Sequence, residues 1–445
     1  MKVTKFGGTS CADASQFKKV KSIITADSER KIVIVSAPGK RFADDHKITD
    51  MLYLCHQLME IGIGGEEVFT SIKKRFLEIQ NSLNLAIDLE PELDEVEQKL
   101  IAGASRDYAA SRGEYFSAKL MAEYLGYQFL DAADIIRFDQ NGRYDENITR
   151  ILIKENIVKD GCFVIPGFYG AQENGSIVTF SRGGSDITGS IVASALSVEK
   201  YENWTDVSGF LAADPKIVDN PMPLHIVTYD ELRELSYMGA AVLHHEAIFP
   251  ARQRGIPIHI LNTNAPDEPG TLILPKAKRT KEDPILTGVA GVKDFMVINV
   301  EKYRMTEDLS FFRKLCSVFE TNGIQIHHMP SSIDTVSLIV REDSMQGKER
   351  KILEEIDIYC SPDRIDITPG LALLAVVGEN MAMRAGVSAK VFGALAKAGI
   401  NIRMISQGSS EFNIILGIAN NDFEKAVSTI YDEFFKQPLV KPASS

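Results

Sequence analysis

The sequence predicts an α/β protein with a mainly parallel central sheet, followed by two small α+β modules. Three observations carry this. The first 35 residues read as strand, glycine turn, helix and buried strand, which is a βαβ unit. Further short apolar runs recur between helical segments over the next 240 or so residues. Beyond a polar stretch flanked by prolines, the chain then weakly repeats itself.

Taken in order, Lys2 to Phe6 is a short strand, broken by Gly7-Gly8-Thr9-Ser10. Phe17, Val20, Ile23 and Ile24 recur at helical spacing, and Ile32-Val33-Ile34-Val35 is a fully apolar run. Residues 50 to 130 are helix-rich and charged, and Glu66, Glu67, Lys73, Lys74 and Arg75 read as solvated helix faces. Cys162 to Ile165, Ile177 to Phe180 and Ile256 to Leu261 are buried-strand candidates. The segment between Pro275 and Pro284 has the polar composition of a linker. In the repeat, Phe311, Leu315, Val318 and Phe319 lie on one helical face, followed by Gly323, Ile324 and Ile326 and then a strand, Val336 to Val340. Val387, Val391, Ala394 and Leu395 do the same, followed by Gly399, Ile400 and Ile402 and a strand, Asn413 to Ile418. Two modules side by side are the simplest reading.

Composition sets limits on function. At 445 residues a prior of about 150 per domain gives about three domains. Hydrophobic residues make up 44% and charged residues 25%, as in ordinary globular proteins. Lys and Arg total 49 against 61 Asp and Glu, a net charge of -12. That balance excludes broad binding to nucleic acid or anionic membrane, and leaves room for a local anion site. Cys11, Cys55, Cys162, Cys316 and Cys360 are scattered and form no CxxC pair, so neither a disulfide framework nor a zinc site is expected. With no signal peptide and no long apolar run, the expected compartment is the cytoplasm.

The candidate chemistry lies in glycine-bearing turns. Lys5-Phe6-Gly7-Gly8-Thr9-Ser10 ends one strand and opens a helix, where glycines let the backbone approach an anion and Lys5 adds positive charge. Ser181-Arg182-Gly183-Gly184-Ser185-Asp186 repeats the arrangement after a second strand, so both turns are expected at carboxyl ends of parallel strands, facing one crevice. Arg182 suits a carboxylate, and Asp186 is also a natural cap for its own helix. Thr205-Asp206-Val207-Ser208-Gly209 and Ala213-Asp214-Pro215-Lys216 form a third polar region, of a composition that also serves plain turns. Glu114 reads as a residue at the start of a helix. No histidine pair has metal-binding spacing, no metal ligands are assigned, and the adjacent pairs His244-His245 and His327-His328 read as structural or surface.

In combination, KFGGTS, SRGGSD and TDVSGFLAADPK, in this order and spacing, resemble the aspartate kinases of the amino acid kinase family. The trailing modules, with Gln407-Gly408-Ser409-Ser410-Glu411 in the second, resemble tandem regulatory ACT domains. The resemblance implies a three-layer sandwich of amino acid kinase type over 1–280 and ferredoxin-like ACT modules over 285–367 and 368–445. It implies Lys5, Phe6, Gly7 and Gly8 at the ATP phosphates, with Thr205, Asp206, Leu211, Asp214, Pro215 and Lys216 completing the nucleotide site. Ser36, Thr49, Glu114, Arg182 and Ser185 fall to the aspartate pocket, Glu114 toward the amino group and Arg182 toward the α-carboxylate; Lys5 and Asp186 are the catalytic pair. Ala241 and His245 depart from the lysine and proline frequent in the family, and Lys216 is the sequence's candidate replacement. His327 stands where some lysine-sensitive relatives carry aspartate.

The implied reaction is transfer of the ATP γ-phosphoryl group, with Mg²⁺, to the β-carboxylate of L-aspartate. Lysine, alone or with threonine, is the implied effector, and a homodimer or homotetramer the implied assembly. From the length after the second module, no fused homoserine dehydrogenase is expected. The rival readings are an amino-acid-sensing protein with an impaired kinase domain and a related kinase acting on glutamate, carbamate or a nucleotide.

Overall fold

The computed structural model describes residues 1–436 except 159, 182, 241, 242, 244, 281, 282, 383, 409 and 410, and it leaves out the side chains of 245 and 246. The chain divides into two compact units, one holding residues 1–210, 223–232 and 241–277, the other 211–222, 233–240 and 278 onward.

In the first unit, eight strands form one sheet. Their spatial order is Ile226–Thr228, Thr271–Leu274, Ile258–Asn262, Lys200–Thr205, Lys2–Phe6, Arg30–Val35, Phe163–Pro166 and Gln128–Phe129. Only the Ile258–Asn262 and Thr271–Leu274 pairing is antiparallel, so the expected mainly parallel α/β sheet is what the chain forms. Helices cover both faces. On one, Ala14–Thr25, Ile48–Glu60, Glu66–Ser82, Glu90–Ile101 and Arg106–Leu125 bury Phe17, Leu52, Phe76, Leu93 and Phe116 in a core with Phe6, Val35 and Trp204. On the other, Gly184–Leu196 packs so closely that a Cβ at Gly189 would lie 2.5 Å from the Tyr201 hydroxyl.

Three expectations need correction. Ile177–Thr179 is half-buried and pairs antiparallel with Tyr169–Gln172 in a separate three-stranded sheet, so the second glycine turn does not follow a parallel strand of the main sheet. Apolarity alone does not assign a strand to a sheet. Arg75 is not solvated but buried, 5% exposed, inside its helix. Glu114 does not begin a helix: Ser105 caps Arg106–Leu125, which places Glu114 in mid-helix. Gly113 hides that continuity in the sequence. It is the helix's point of closest approach, where a Cβ would lie 2.7 Å from the Ala37 methyl.

In the second unit, five strands form a sheet in the order Thr335–Arg341, Gly288–Glu301, Arg364–Val377, Asn413–Ala419 and Met404–Ser406, all antiparallel. The two 14-residue strands, Gly288–Glu301 and Arg364–Val377, run through both modules. Helices Phe311–Thr321 and Val387–Lys397 bury the apolar faces read from the repeat. Segments from earlier in the chain belong to this unit. Met222 N–H donates to Tyr431 Oη at 2.9 Å, Asn413 Nδ2 donates to Glu234 Oε2 at 2.5 Å, and Val289 N–H donates to the Ala212 carbonyl at 2.8 Å. His327 is likewise engaged, its Nδ1 2.9 Å from Tyr237 Oη.

Candidate active site

Register decides which side chains meet. Lys5 is the partner of Asn203 and Phe6 the partner of Trp204 on adjacent parallel strands. Alternation therefore sends Phe6 and Trp204 to one face, where their rings stack in the core, and Lys5 and Asn203 to the other. That second face is covered by the Gly184–Leu196 helix, whose first turn carries Asp186. Lys5 Nζ lies 2.6 Å from Asp186 Oδ1, and Asn203 Nδ2 donates to the same oxygen at 2.8 Å. Asp186 makes no cap of its own helix; Gly183, at φ 64°, occupies that position.

These residues open onto a cavity of about 400 Å³. Lys5, Gly7, Gly8, Ser36 and Thr49 line it, together with Glu114, Asp186, Thr205 and Asp206. Of the residues assigned from sequence, Phe6 is a core residue, and Ser185 is buried against Gly167, outside the lining. Leu211, Asp214, Pro215 and Lys216 belong to the second unit, where the Asp214 carboxylate accepts from Lys216 N–H at 2.8 Å in a tight turn. Arg182 and Ala241 lie outside the described residues. The sequence reading missed Gly39, Lys40, Lys47 and Asn203 in the lining. Period-two alternation from Lys5 across a parallel neighbour is the signal that points to Asn203.

The glycine turn differs from a simple helix N-terminus. Gly8 begins a single turn of tighter 3-10 helix, Thr9–Cys11, and the α-helix starts only at Ala14. The Asp13 carboxylate accepts from Ser15 and Gln16 N–H, so that helix end is capped by its own side chain. The turn is braced instead by the next loop. Gly39 N–H donates to the Gly8 carbonyl at 2.7 Å, and Ser36 N–H to the Phe6 carbonyl at 3.1 Å.

Glu114 is the unusual group in the cavity. It is 4% exposed, and its Oε2 has no hydrogen-bond partner among the described residues. Burial pushes its carboxyl up to about 8; the backbone N–H groups of Ala37 and of Glu114 itself, and the charge of Arg112, oppose that rise. A buried carboxyl with a free oxygen facing an open cavity is suited to receive a cation. Among the described residues no three His, Cys, Asp or Glu gather to hold a metal ion. No described helix is long and apolar enough to cross a membrane.

Residues 1–262 match the amino acid kinase family and residues 374–434 the ACT domain. Aspartokinase 3 of Bacillus subtilis is 36% identical over 99% of this chain and 100% of its own length. The crystal structure of Clostridium acetobutylicum aspartate kinase is 51% identical, covers 98% of this chain and all of its own, and superposes with a TM-score of 0.93. Escherichia coli aspartokinase III, in complex with aspartate and ADP, is 25% identical with a TM-score of 0.77 over 98% of this chain and 100% of its own. The same enzyme in complex with lysine and aspartate is 26% identical with a TM-score of 0.76 over 98% and 99% of the two chains. With its glycine turn, its Lys5–Asp186 pair and full-length likeness to these enzymes, the chain belongs to the amino acid kinase family, among its ATP-dependent aspartate kinases.

Proposed function

We propose that the chain transfers the γ-phosphoryl group of ATP to the β-carboxylate of L-aspartate. The product is 4-phospho-L-aspartate, the first step toward lysine, threonine and methionine. The observation that carries this reading is the convergence of Lys5, the Gly7-Gly8 turn and the Glu114 carboxyl, whose Oε2 is unpartnered among the described residues, on one cavity. It agrees with the aspartate and ADP held by the Escherichia coli enzyme.

The chemistry needs no general base. A β-carboxylate of pKa about 3.9 is already an ionised nucleophile at neutral pH. The demand is to bring two anions together in line and to stabilise charge on the group in transit. Lys5, held in place by Asp186 and Asn203, supplies fixed positive charge at the phosphates. Ser36 and Thr49 supply hydroxyls to the acceptor, and Arg182 takes its α-carboxylate. Asp206, a carboxylate of the cavity lining, would hold a Mg²⁺ ion carried in on the triphosphate, which would offset phosphate charge. Residues 1–280 form the catalytic region, and 285–367 and 368–445 are regulatory modules that respond to an end-product amino acid. Lysine, which the Escherichia coli enzyme binds, is the first effector to test.

The deciding assay couples ATP and L-aspartate to hydroxylamine trapping of the acyl phosphate. Aspartate-dependent hydroxamate is expected; hydroxamate with glutamate alone, or none under varied Mg²⁺, would overturn the reading.

Glu114 adds a pH signature. Its carboxyl is largely protonated in the free enzyme below pH 8, whereas a bound ammonium group favours the ionised form, so aspartate binding releases a proton. The KM for aspartate should therefore fall as pH rises from 6 to 8, by up to about tenfold per unit at the acid end, and level off above. Glu114→Gln should raise that KM and flatten its slope. A wild-type KM that ignores pH over this range would remove Glu114 from the ammonium site.

A further inference from the structure

Charge in the cavity points to residues outside the glycine motifs. Its acids are Glu114, Asp186 and Asp206; its lysines are Lys5, Lys40 and Lys47. Lys5 is committed to Asp186 at 2.6 Å. Lys40 Nζ donates only to the Ala43 carbonyl, at 3.1 Å, and the Lys47 side chain makes no hydrogen bond or ion pair among the described residues. A triphosphate and an aspartate thus enter a site in which the uncommitted cations, among the described lining residues, are Lys40 and Lys47.

Both lysines ride on the segment 38–47, between the Arg30–Val35 strand and the Ile48–Glu60 helix. A solvated loop would need no internal support, yet this one has a buried arginine beneath it. Arg75 Nη2 donates to the Gly39 carbonyl at 2.6 Å and to the Ala12 carbonyl at 3.1 Å, Nε to Ala12 at 3.2 Å, and Nη1 to Asp45 Oδ2 at 2.9 Å. Asp45 in turn accepts from Arg41 Nε and from the Arg41 backbone N–H, both at 2.9 Å. One planar guanidinium therefore locks the lysine-bearing segment to the turn that follows Gly7-Gly8. Burying a guanidinium is costly unless its donors are met, and here four bonds, all to this segment and that turn, meet most of them.

We propose that segment 38–47 is a cationic arm of the phosphoryl-transfer site, in which Lys47, with Lys40 beside it, binds the nucleotide phosphates and Arg75 is the positioning residue that holds the arm. This rests on the phosphotransfer reading above, and the test separates the two.

The test is steady-state kinetics of hydroxamate formation with Lys47→Gln, Lys47→Arg, Lys40→Gln, Arg75→Lys and the double variant Lys47→Gln/Arg75→Lys. An exposed lysine on the Arg75 helix, changed by Lys74→Ala, is the control. Lys47→Gln is expected to lower kcat/KM for ATP about 10- to 100-fold with the KM for aspartate within about threefold. Lys47→Arg should recover most of the loss, and Lys40→Gln should show a smaller one. Arg75→Lys should raise the KM for ATP more than it lowers kcat, and should add little in the Lys47→Gln background, because both act through one contact. A merely structural arginine would lower the melting temperature and give additive losses. Wild-type kcat/KM for ATP in both lysine variants, or additivity in the double variant, overturns the arm. If the wild type forms no hydroxamate the phosphotransfer reading fails on its own, and calorimetric titration of ATP into the same variants decides the arm by the same ratios.

Discussion

Lys5→Met is expected to lower kcat about 10²- to 10³-fold, the scale seen when a preorganised electrostatic contact to a transition state is removed. The methionine keeps the unbranched stem that fills the space and deletes only the charge. Lys5 is 7% exposed and its partner Asp186 keeps a second contact to Asn203. The fold should persist, at a cost of about 1–3 kcal/mol for leaving a carboxylate without its cation. Lys5→Met/Asp186→Asn should recover much of that stability and none of the activity. A folded Lys5→Met protein with near-normal turnover would remove Lys5 from the transfer step.

Gly39→Ala is expected to be nearly as damaging, through geometry. A Cβ there would lie 2.6 Å from the Gly8 carbonyl carbon, 2.8 Å from its oxygen and 2.8 Å from Thr9 N, all backbone atoms with no room to yield. The loop must retreat, breaking the 2.7 Å Gly39-to-Gly8 hydrogen bond and disturbing the turn beside Lys5. A loss of at least about tenfold in kcat/KM for ATP should accompany a lower melting temperature. At Gly8 the nearest atom is the Ala37 carbonyl oxygen at 3.1 Å, so Gly8→Ala should be the milder change although Gly8 belongs to the recognisable motif. The reverse order of severity would show that the turn, and not its brace, carries the strain.

That ordering marks what is legible in the sequence and what is not. The helices Ala14–Thr25 and Phe311–Thr321 are legible because their buried residues recur at the helical period. The strand Lys2–Phe6 is legible as a short strand pattern broken by a glycine turn, and Arg30–Val35 by its apolar run. Glu114 follows from the family resemblance and not from its helix, whose start lies at Ser105, because Gly113 interrupts the helical pattern before it. The pairing of Lys5 with Asn203 depends on the register between the Lys2–Phe6 and Lys200–Thr205 strands, a long-range fact that no local window contains. Arg75 looks like any charged helix residue until its three oxygen partners, drawn from two distant segments, are assembled around it.

The composition of the second unit has a consequence for dissection of the chain. Cutting within the 275–284 stretch would look like a clean separation of catalytic and regulatory halves. It would instead strip the C-terminal fragment of Leu211–Met222 and Arg233–Ala240, leaving Tyr431, Asn413 and the Val289 N–H without their partners Met222, Glu234 and Ala212. A fragment of 278–445 should be less stable than the same unit in the intact chain. A bicistronic split at that linker should yield halves that copurify, because the N-terminal half carries the two segments that complete the C-terminal unit.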